Sequence, residues 1–159
     1  MRVLIVSDTH RKHENYLEAV RKNQPLDLVI HCGDVEGGEY VISEAAGCPV
    51  EIVQGNNDYF CDLPREKEVQ LGKYKAMVVH GHQYGVNMGY ERLADEARSR
   101  GMDMVMYGHT HRPVLVKEKG VLVINPGSLT YPRQEGRRHS YALMEIKAEG
   151  EPRVQIIYL

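Results

Sequence analysis

Five short apolar runs constrain the fold of this chain more than any other feature of its sequence, because residue types that bind metal ions follow each run. The runs span 3–6, 28–30, 50–53, 76–79 and 104–106. Their length and β-branched content predict buried strands. Helical spacing of apolar residues predicts helices between several of them, over 14–22, 40–46 and 88–99. Strands that alternate with helices predict an α/β domain with substantial parallel pairing.

The predicted helices and the C-terminal region complete this outline. Apolar side chains share one face in the first and third predicted helices: Tyr16, Leu17, Val20, Leu93, Ala94 and Ala97. Beyond residue 112 the pattern changes to strands without a clear helix, over 113–117, 121–124, 140–146 and 153–158. Turns separate these strands, which predicts antiparallel hairpins and two packed sheets. Because no repeat or linker interrupts the chain, we expect residues 1–159 to form a single domain.

Polar side chains at the ends of the apolar runs form a candidate metal site. The candidate ligands are Asp8, His10, Asp34, Asn56, His80, His109 and His111. Ligands of open α/β sheets bind beyond the carboxyl ends of the strands, so these ends can converge. Side chains alternate along an extended segment, so the D-x-H and H-x-H pairs can each direct two ligands into one pocket. A zinc ion takes about four ligands, and the larger set therefore favours two ions that share a carboxylate.

Taken singly, each motif has an ordinary structural explanation. A D-x-H pair is usually surface decoration, G-N-N-D reads as a turn, and a lone His80 at a strand end is more often structural. Their joint occurrence, each at the end of an apolar run, favours a functional site.

Composition limits the classes of partner and site. The formal net charge is −2, with 42% hydrophobic and 26% charged residues, so the sequence gives no reason to expect a nucleic-acid or membrane partner. We interpret the basic cluster of Arg133, Arg137 and Arg138 as a solvated loop, with a substrate contact by Arg133 as the alternative. The three cysteines form no C-x-x-C pair, which disfavours a disulfide framework or a thiolate zinc site and predicts a cytoplasmic location. The N-terminal apolar run is too short for a signal peptide.

The order of the motifs resembles a known family. DTH, GD, GNND, HGH, GHTH and NPGS occur at 8–10, 33–34, 55–58, 80–82, 108–111 and 125–128. In this order they resemble the calcineurin-like metallophosphoesterases, and particularly the small single-domain prokaryotic phosphodiesterases. The resemblance implies a four-layer sandwich of two mixed β-sheets flanked by helices, with a metal site at the carboxyl ends of the strands. It covers nearly the whole chain, which makes it far more specific than any single motif.

The resemblance also implies how the site works. Asp8, His10, Asp34 and His111 would bind one divalent ion, and Asp34, Asn56, His80 and His109 the other. Mn is the expected metal, while Fe, Zn, Ni and Co also suit these ligand types. A hydroxide bridging the two ions would attack a small phosphate ester, and Asn56 and His80 could also contact its oxygens.

Two positions depart from the family pattern. Asn57 stands where many relatives carry a histidine thought to protonate the leaving group, and an amide cannot act as a general acid at neutral pH. His82 is the nearest alternative acid, and good leaving groups are favoured. Arg11 replaces a frequent glycine, and we expect it to be solvated at a helix start, with a phosphate contact as the alternative. Asn125 and Ser128 are interpreted as bracing residues.

Alternatives from other classes remain. A retromer subunit of similar fold acts as a scaffold with a degraded metal site, whereas every candidate ligand is intact here. A single-zinc hydrolase would leave several ligands unused. The sequence leaves open the physiological substrate and a homo-oligomeric state, which small relatives often adopt.

Overall fold

The computed structural model describes residues 1–159 and contains three α-helices and ten strands. In chain order the elements are β1 (Arg2–Val6), α1 (Glu14–Asn23), β2 (Leu28–His31), α2 (Glu39–Ala46), β3 (Val50–Ile52), β4 (Glu66–Leu71), β5 (Tyr74–Val79), α3 (Glu91–Ser99), β6 (Met104–Met106), β7 (Val114–Glu118), β8 (Val121–Asn125), β9 (Ser140–Glu145) and β10 (Arg153–Tyr158). Two short 3₁₀ turns, His82–Tyr84 and Val86–Met88, precede α3.

The strands form two mixed five-stranded sheets. The first sheet has the order β10-β9-β1-β2-β3, in which β1, β2 and β3 are parallel and the β9–β10 hairpin is antiparallel. The second has the order β4-β5-β6-β8-β7, with β5, β6 and β8 parallel and antiparallel strands at both edges. In the first sheet the parallel strands β1 and β2 are internal and β3 forms the edge, whereas in the second sheet all three parallel strands are internal.

Three apolar clusters separate four layers. Val3 and Ile5 of β1 face the second sheet in the central cluster, whereas Leu4 and Val6 face α1 and α2 in an outer cluster. This follows from the two-residue alternation of a strand that is buried on both faces. A third cluster packs α3 against the outer face of the second sheet. The predicted architecture, helices flanking two mixed sheets, is therefore confirmed.

Local differences from the sequence-based expectations have simple causes. Leu17 is 43% exposed, because α1 buries the face formed by Tyr16, Ala19 and Val20 and Leu17 lies beside that face. The third helix begins at Glu91 rather than at residue 88, because Gly89 adopts a φ of 135° that no helix continues through.

The sequence analysis also missed β4. This edge strand begins with the charged residues Glu66, Lys67 and Glu68, and its inward side chains are the partly buried Lys67 and Val69 and the buried Leu71. Charged edge strands resist pairing with other chains, and the same charges hide them from a search for apolar runs. No helix of the fold is long and apolar enough to cross a membrane.

Candidate metal centre

Candidate ligands follow the carboxyl ends of parallel strands from both sheets. Strand β1 leads into Asp8 and His10, β2 into Asp34, and β3 into the turn that contains Asn56. Strand β5 leads directly into His80, and β6 into the loop that carries His109 and His111. The structure brings all of these predicted positions to one edge of the two-sheet sandwich. The sandwich geometry explains the convergence, because parallel strands of each sheet end on the same side.

The backbone is strained at most of these positions. Positive φ angles occur at the non-glycine residues Asp8, His10, Asp34, His109 and His111, with values between 46° and 67°. The left-handed conformation costs an L-residue roughly 1–2 kcal/mol and is typical of functional sites. The turns re-aim each side chain immediately after its strand.

Close approach of the backbone around the carboxylates requires glycine at two positions. A methyl group on Gly55 would overlap the carboxylate and backbone nitrogen of Asp34. A methyl group on Gly108 would overlap the hydroxyl of Ser7, which donates a 2.5 Å hydrogen bond to Asp8 Oδ2. The glycines of the GNND and GHTH motifs therefore pack directly against the two acidic candidate ligands.

One group of candidate ligands comprises Asp8, His10 and His111. His111 Nε2 lies 3.0 Å from Asp8 Oδ1 and 3.3 Å from His10 Nε2, and His10 Nε2 lies 3.8 Å from Asp8 Oδ1. These three ligand atoms all lie within 4.8 Å of one another, which is the spacing of groups around a single ion.

A second group lies beside the first. His80 Nε2 is 3.4 Å from Asp34 Oδ2 and 3.0 Å from Asn56 Oδ1, and His109 Nδ1 is 2.8 Å from the same Asn56 oxygen. Asp34 Oδ2 is also 3.8 Å from His10 Nε2 of the first group. Asp34 therefore stands between the two groups, and Asp8 lies close enough to belong to both.

Hydrogen bonds on the far side of three imidazoles fix which ring nitrogen faces the site. His10 Nδ1 contacts Glu36 Oε1 at 2.7 Å, His80 Nδ1 contacts the Cys32 carbonyl at 2.7 Å, and His111 Nδ1 contacts the Tyr131 carbonyl at 2.6 Å. Each partner is an acceptor, so each neutral imidazole carries its proton on Nδ1 and presents the bare Nε2 to the site.

Around Asp8 Oδ1 the site places acceptors against one another. Asp8 Oδ1 is buried and has no hydrogen-bond partner, although the Nε2 atoms of His10 and His111 point towards it. Lone pairs that face one another at 3–4 Å are unfavourable unless a proton or a metal ion lies among them. The residues present therefore fit divalent metal ions, and their Nδ1–H bonds are the type that orients metal-binding histidines.

His109 is held differently. Asn87 Nδ2 lies 3.0 Å from His109 Nε2, and this contact leaves the Nδ1 proton to donate to Asn56. To bind an ion through Nδ1, His109 must carry its proton on Nε2 instead. A 180° flip of the Asn87 amide would place its oxygen where it accepts that proton.

Both carboxylates are ionised. Burial raises the pKa of Asp8, but the imidazoles of His111 and His80 outweigh it and bring the pKa below its usual value. Burial also raises the pKa of Asp34, but its contacts with His80 and Asn57 have the larger effect. The pKa of Asp34 is therefore below its usual value. Burial lowers the pKa of His80, but its contact with Asp34 and the nearby Asp8 carboxylate reverse the sign and raise it. Burial and the neighbouring His80 lower the pKa of His109 and of His82.

The residues that depart from the family pattern occupy defined places. Asn57 donates to Asp34 from its backbone nitrogen at 2.8 Å and from its side-chain amide at 2.7 Å. His82 is exposed in a 3₁₀ turn, with ring centroids 5.5 Å from His80 and 6.0 Å from His109. Arg11 donates to the Glu36 carbonyl at 3.0 Å and is otherwise exposed.

Bracing residues connect the ligand loops. Ser128 Oγ donates to the Asp8 carbonyl at 2.9 Å, and Asn125 Nδ2 donates to the Gly108 carbonyl at 2.9 Å. The Asp58 carboxylate accepts hydrogen bonds from the backbone nitrogens of Asp34, Gly55 and Glu36. Glu36 and Asn87 could not be predicted from the sequence, because neither belongs to a recognisable motif.

The calcineurin-like phosphoesterase superfamily domain matches residues 1–149. The chain belongs to this superfamily. "Probable metallophosphoesterase YsnB" of Bacillus subtilis is 34% identical over 148 residues, which cover 92% of this chain and 85% of that protein. "Phosphodiesterase MJ0936" of Methanocaldococcus jannaschii is 32% identical over 145 residues, which cover 80% of this chain and 83% of that protein.

Solved structures share the fold. A predicted phosphoesterase from Streptococcus pneumoniae aligns with a TM-score of 0.85 at 28% identity, covering 99% of this chain and 88% of that one. Vps29 of Entamoeba histolytica, crystallised with Zn²⁺, aligns with a TM-score of 0.80 at 24% identity, covering 99% of both chains. The predicted family is therefore confirmed. Membership of this metallophosphoesterase family and the two ligand groups together indicate a phosphoester hydrolase that binds divalent metal.

Proposed function

We propose that this chain is a dinuclear metal-dependent phosphodiesterase that acts on a small phosphate ester. The observation that carries the proposal is the set of opposed acceptors: the buried, unpartnered Asp8 Oδ1 faces the bare Nε2 atoms of His10 and His111. Two neighbouring ligand groups joined by Asp34 support two ions rather than one.

The ligand assignment follows the two groups. Asp8, His10 and His111, with Asp34, would bind one ion. His80, Asn56 and His109, again with Asp34, would bind the other. Mn is the first metal to test, and Fe, Zn, Ni and Co also suit imidazole and carboxylate ligands. When bound, two such ions acidify a water molecule and neutralise charge on a phosphoryl group.

The residues around this site set the charge that a substrate meets. Asp8 and Asp34 are the only carboxylates among the proposed ligands, so two divalent ions would leave a formal charge of about +2. An anionic phosphate is attracted to such a site, and the extra negative charge of its transition state more so. Asn56, which is exposed, and His80, which is buried, are the ligands that could also contact phosphoryl oxygens.

Leaving-group chemistry favours esters that need no acid. The Asn57 amide is turned towards Asp34 and cannot protonate an alkoxide. His82 at the rim is the remaining candidate acid. If His82 protonates the leaving group, His82→Gln slows an alkyl ester and leaves a nitrophenyl ester unchanged. Equal losses for both esters would exclude that role.

Metal reconstitution tests the proposal. The protein is stripped of metal, reloaded with Mn(II), Ni(II), Zn(II) or Mg(II), and assayed with bis(p-nitrophenyl) phosphate and with p-nitrophenyl phosphate. We expect metal-dependent turnover, faster with the diester, that both Asp34→Ala and His109→Ala abolish. Turnover that is independent of metal, or that survives Asp34→Ala, would contradict the proposal. One bound ion per active chain would favour the single-zinc alternative.

A specific surface favours the scaffold as the second candidate. Tyr59 and Phe60 are 73% and 108% exposed and line a cleft of about 420 Å³ with Leu63, directly after the GNND turn. Large exposed aromatic side chains are typical of interaction surfaces. Bound metal without turnover of any ester, together with self-association that Phe60→Ser abolishes in sedimentation experiments, would support this alternative.

A further inference from the structure

Two open clefts adjoin the candidate metal centre and share two arginines. The first, of about 460 Å³, is lined by Asn87, Thr110, Arg112 and Arg133 among others. The second, of about 580 Å³, is lined by Arg112, Arg133, Arg137, His139 and Tyr131, among others. Arg112 and Arg133 therefore stand between the clefts and can reach a molecule in either.

Each cleft borders the candidate ligands through one of its lining residues. In the first, Asn87 contacts His109 at 3.0 Å. In the second, the carbonyl of Tyr131 accepts the Nδ1 proton of His111 at 2.6 Å, and the Tyr131 ring lies 5.3 Å from the ring of His10. A substrate whose reacting phosphoryl group sits at the metal centre would extend into these clefts.

The arginines in the clefts have no internal partner. Arg112, Arg133 and Arg137 are exposed and form no ion pair, in contrast to Arg100, whose guanidinium contacts both Glu66 and Glu96. An arginine that is already paired with two carboxylates binds a further anion weakly. The free guanidinium groups present planar forks that match phosphate oxygens.

The backbone of both shared arginines is tied to the ligand loop. Arg133 N donates to the His111 carbonyl at 3.0 Å, so the loop after Ser128 is fixed to the loop of His111. Arg112 follows His111 directly, and its backbone nitrogen donates to Thr110 Oγ1 at 3.3 Å. Asn125 in turn donates to the same hydroxyl at 3.1 Å. These contacts fix the backbone of both arginines relative to the loop that carries His111.

We propose that Arg112 and Arg133, assisted by Arg137, form a subsite for a second, non-scissile phosphate of the substrate. The ligand class is a small phosphate ester that carries another phosphate group, such as a nucleoside bisphosphate ester. This inference rests on the proposed phosphodiesterase function and narrows its substrate class. It also changes the interpretation of the basic loop, whose arginines are exposed but line clefts beside the site.

A pair of chromogenic diesters isolates the second phosphate. Thymidine 5′-(p-nitrophenyl phosphate) and its 3′-phosphorylated counterpart share the leaving group and the nucleoside, and differ in one phosphate. We expect the 3′-phosphorylated ester to have a kcat/KM about tenfold higher in the wild type, mainly through KM. In Arg112→Gln/Arg133→Gln the ratio should fall to about one, while kcat/KM for the unphosphorylated ester changes little.

Arg21→Gln is the matched control, because Arg21 is exposed in the last turn of α1, forms no ion pair and lies in neither cleft. This variant removes one positive charge where the double variant removes two. It should retain the tenfold ratio, which separates a local subsite from the loss of an exposed arginine elsewhere. A wild-type ratio near one, or a ratio that survives in the double variant, would overturn the subsite while leaving the phosphodiesterase intact.

Absence of hydrolysis of both diesters would count against the proposed function. In that case equilibrium binding still tests the subsite. Calorimetric titration of the Mn(II)-loaded protein should give tighter binding of thymidine 3′,5′-bisphosphate than of thymidine 5′-monophosphate, by about tenfold. Loss of this difference in the double variant, but not in Arg21→Gln, would support the subsite. Equal binding of the two nucleotides by the wild type would refute it.

Discussion

The two sheets bring different chemistry to the candidate metal centre. The first sheet leads into both carboxylates, Asp8 and Asp34, together with His10 and the Asn56 amide. The second sheet leads only into imidazoles, those of His80, His109 and His111. Negative charge therefore comes from one sheet and neutral nitrogen from the other. Both close ligand groups contain side chains from both sheets, so a bound ion would connect the two halves of the sandwich.

This division separates two kinds of mutation. Loss of a carboxylate from the first sheet removes charge that the ions need, whereas loss of an imidazole from the second removes a coordinating atom at unchanged charge. The same division predicts that metal binding stabilises the contact between the sheets. The experiments below test it, from the largest expected effect to the smallest.

The largest effect is expected at Asp34. Asp34→Asn keeps the shape of the side chain but removes the charge that stands between both ligand groups, so turnover of bis(p-nitrophenyl) phosphate should fall by more than about 10³-fold. Asp62→Asn is the matched control, because Asp62 is exposed and forms no hydrogen bond or ion pair. Retention of more than a tenth of the activity in Asp34→Asn would contradict the central role of the first-sheet carboxylates.

A buried imidazole of the first sheet, outside the ligand set, predicts a pH dependence of stability. Burial lowers the pKa of His31 to about 4, and its ring contacts Thr9 Oγ1 at 3.0 Å. In the unfolded chain His31 is protonated below about pH 6.5, whereas in the folded chain it is protonated only below about pH 4. Stability is therefore lost as pH falls through this window, by about 3 kcal/mol.

Urea unfolding in EDTA between pH 7 and 4 measures this loss. His31→Gln should be less stable at pH 7 but should lose less stability on acidification than the wild type. Parallel pH profiles of the two proteins would show that the acid sensitivity comes from the candidate ligands instead.

Metal addition should stabilise the fold through both sheets. At a free Mn(II) concentration about a hundredfold above its Kd, the free energy of unfolding should rise by about 3 kcal/mol. Asp8→Ala in the first sheet and His80→Ala in the second should each reduce this gain in thermal or urea unfolding. If Asp8→Ala reduces the metal-induced stabilisation and His80→Ala does not, the hypothesis that an ion connects the two sheets is wrong.

A smaller effect is expected from the residue that orients His10. Glu36→Gln weakens the acceptor for the His10 Nδ1 proton at nearly constant size, and metal affinity should fall by about tenfold. Competition with a chromogenic chelator measures the affinity. Glu39→Gln serves as the control, since Glu39 makes no hydrogen bond to a candidate ligand. Unchanged affinity would mean that Glu36 positions Arg11 rather than His10.

Much of the site could be predicted from the sequence, because its ligands directly follow strands. Asp8, His10 and His80 lie within four residues of a strand end, where local pattern alone indicates a crevice position. Glu36 and Asn87 could not be predicted, since each acts through a contact with a histidine distant in sequence. Strand β4 could not be predicted because its residues do not form an apolar run. Only its antiparallel pairing with β5 identifies it as a strand.

The sequence by itself determined the family, the alternation of buried strands with helices, and the identity of the polar residues at each strand end. Local periodicity and short motifs carry that information, and both are written in consecutive residues. Only the tertiary structure decided which imidazole nitrogen faces the site, that Glu36 and Asn87 contact the candidate ligands, and that Arg112 and Arg133 flank the same clefts. These features depend on distances between residues far apart in the chain, which are fixed only when the two sheets pack together.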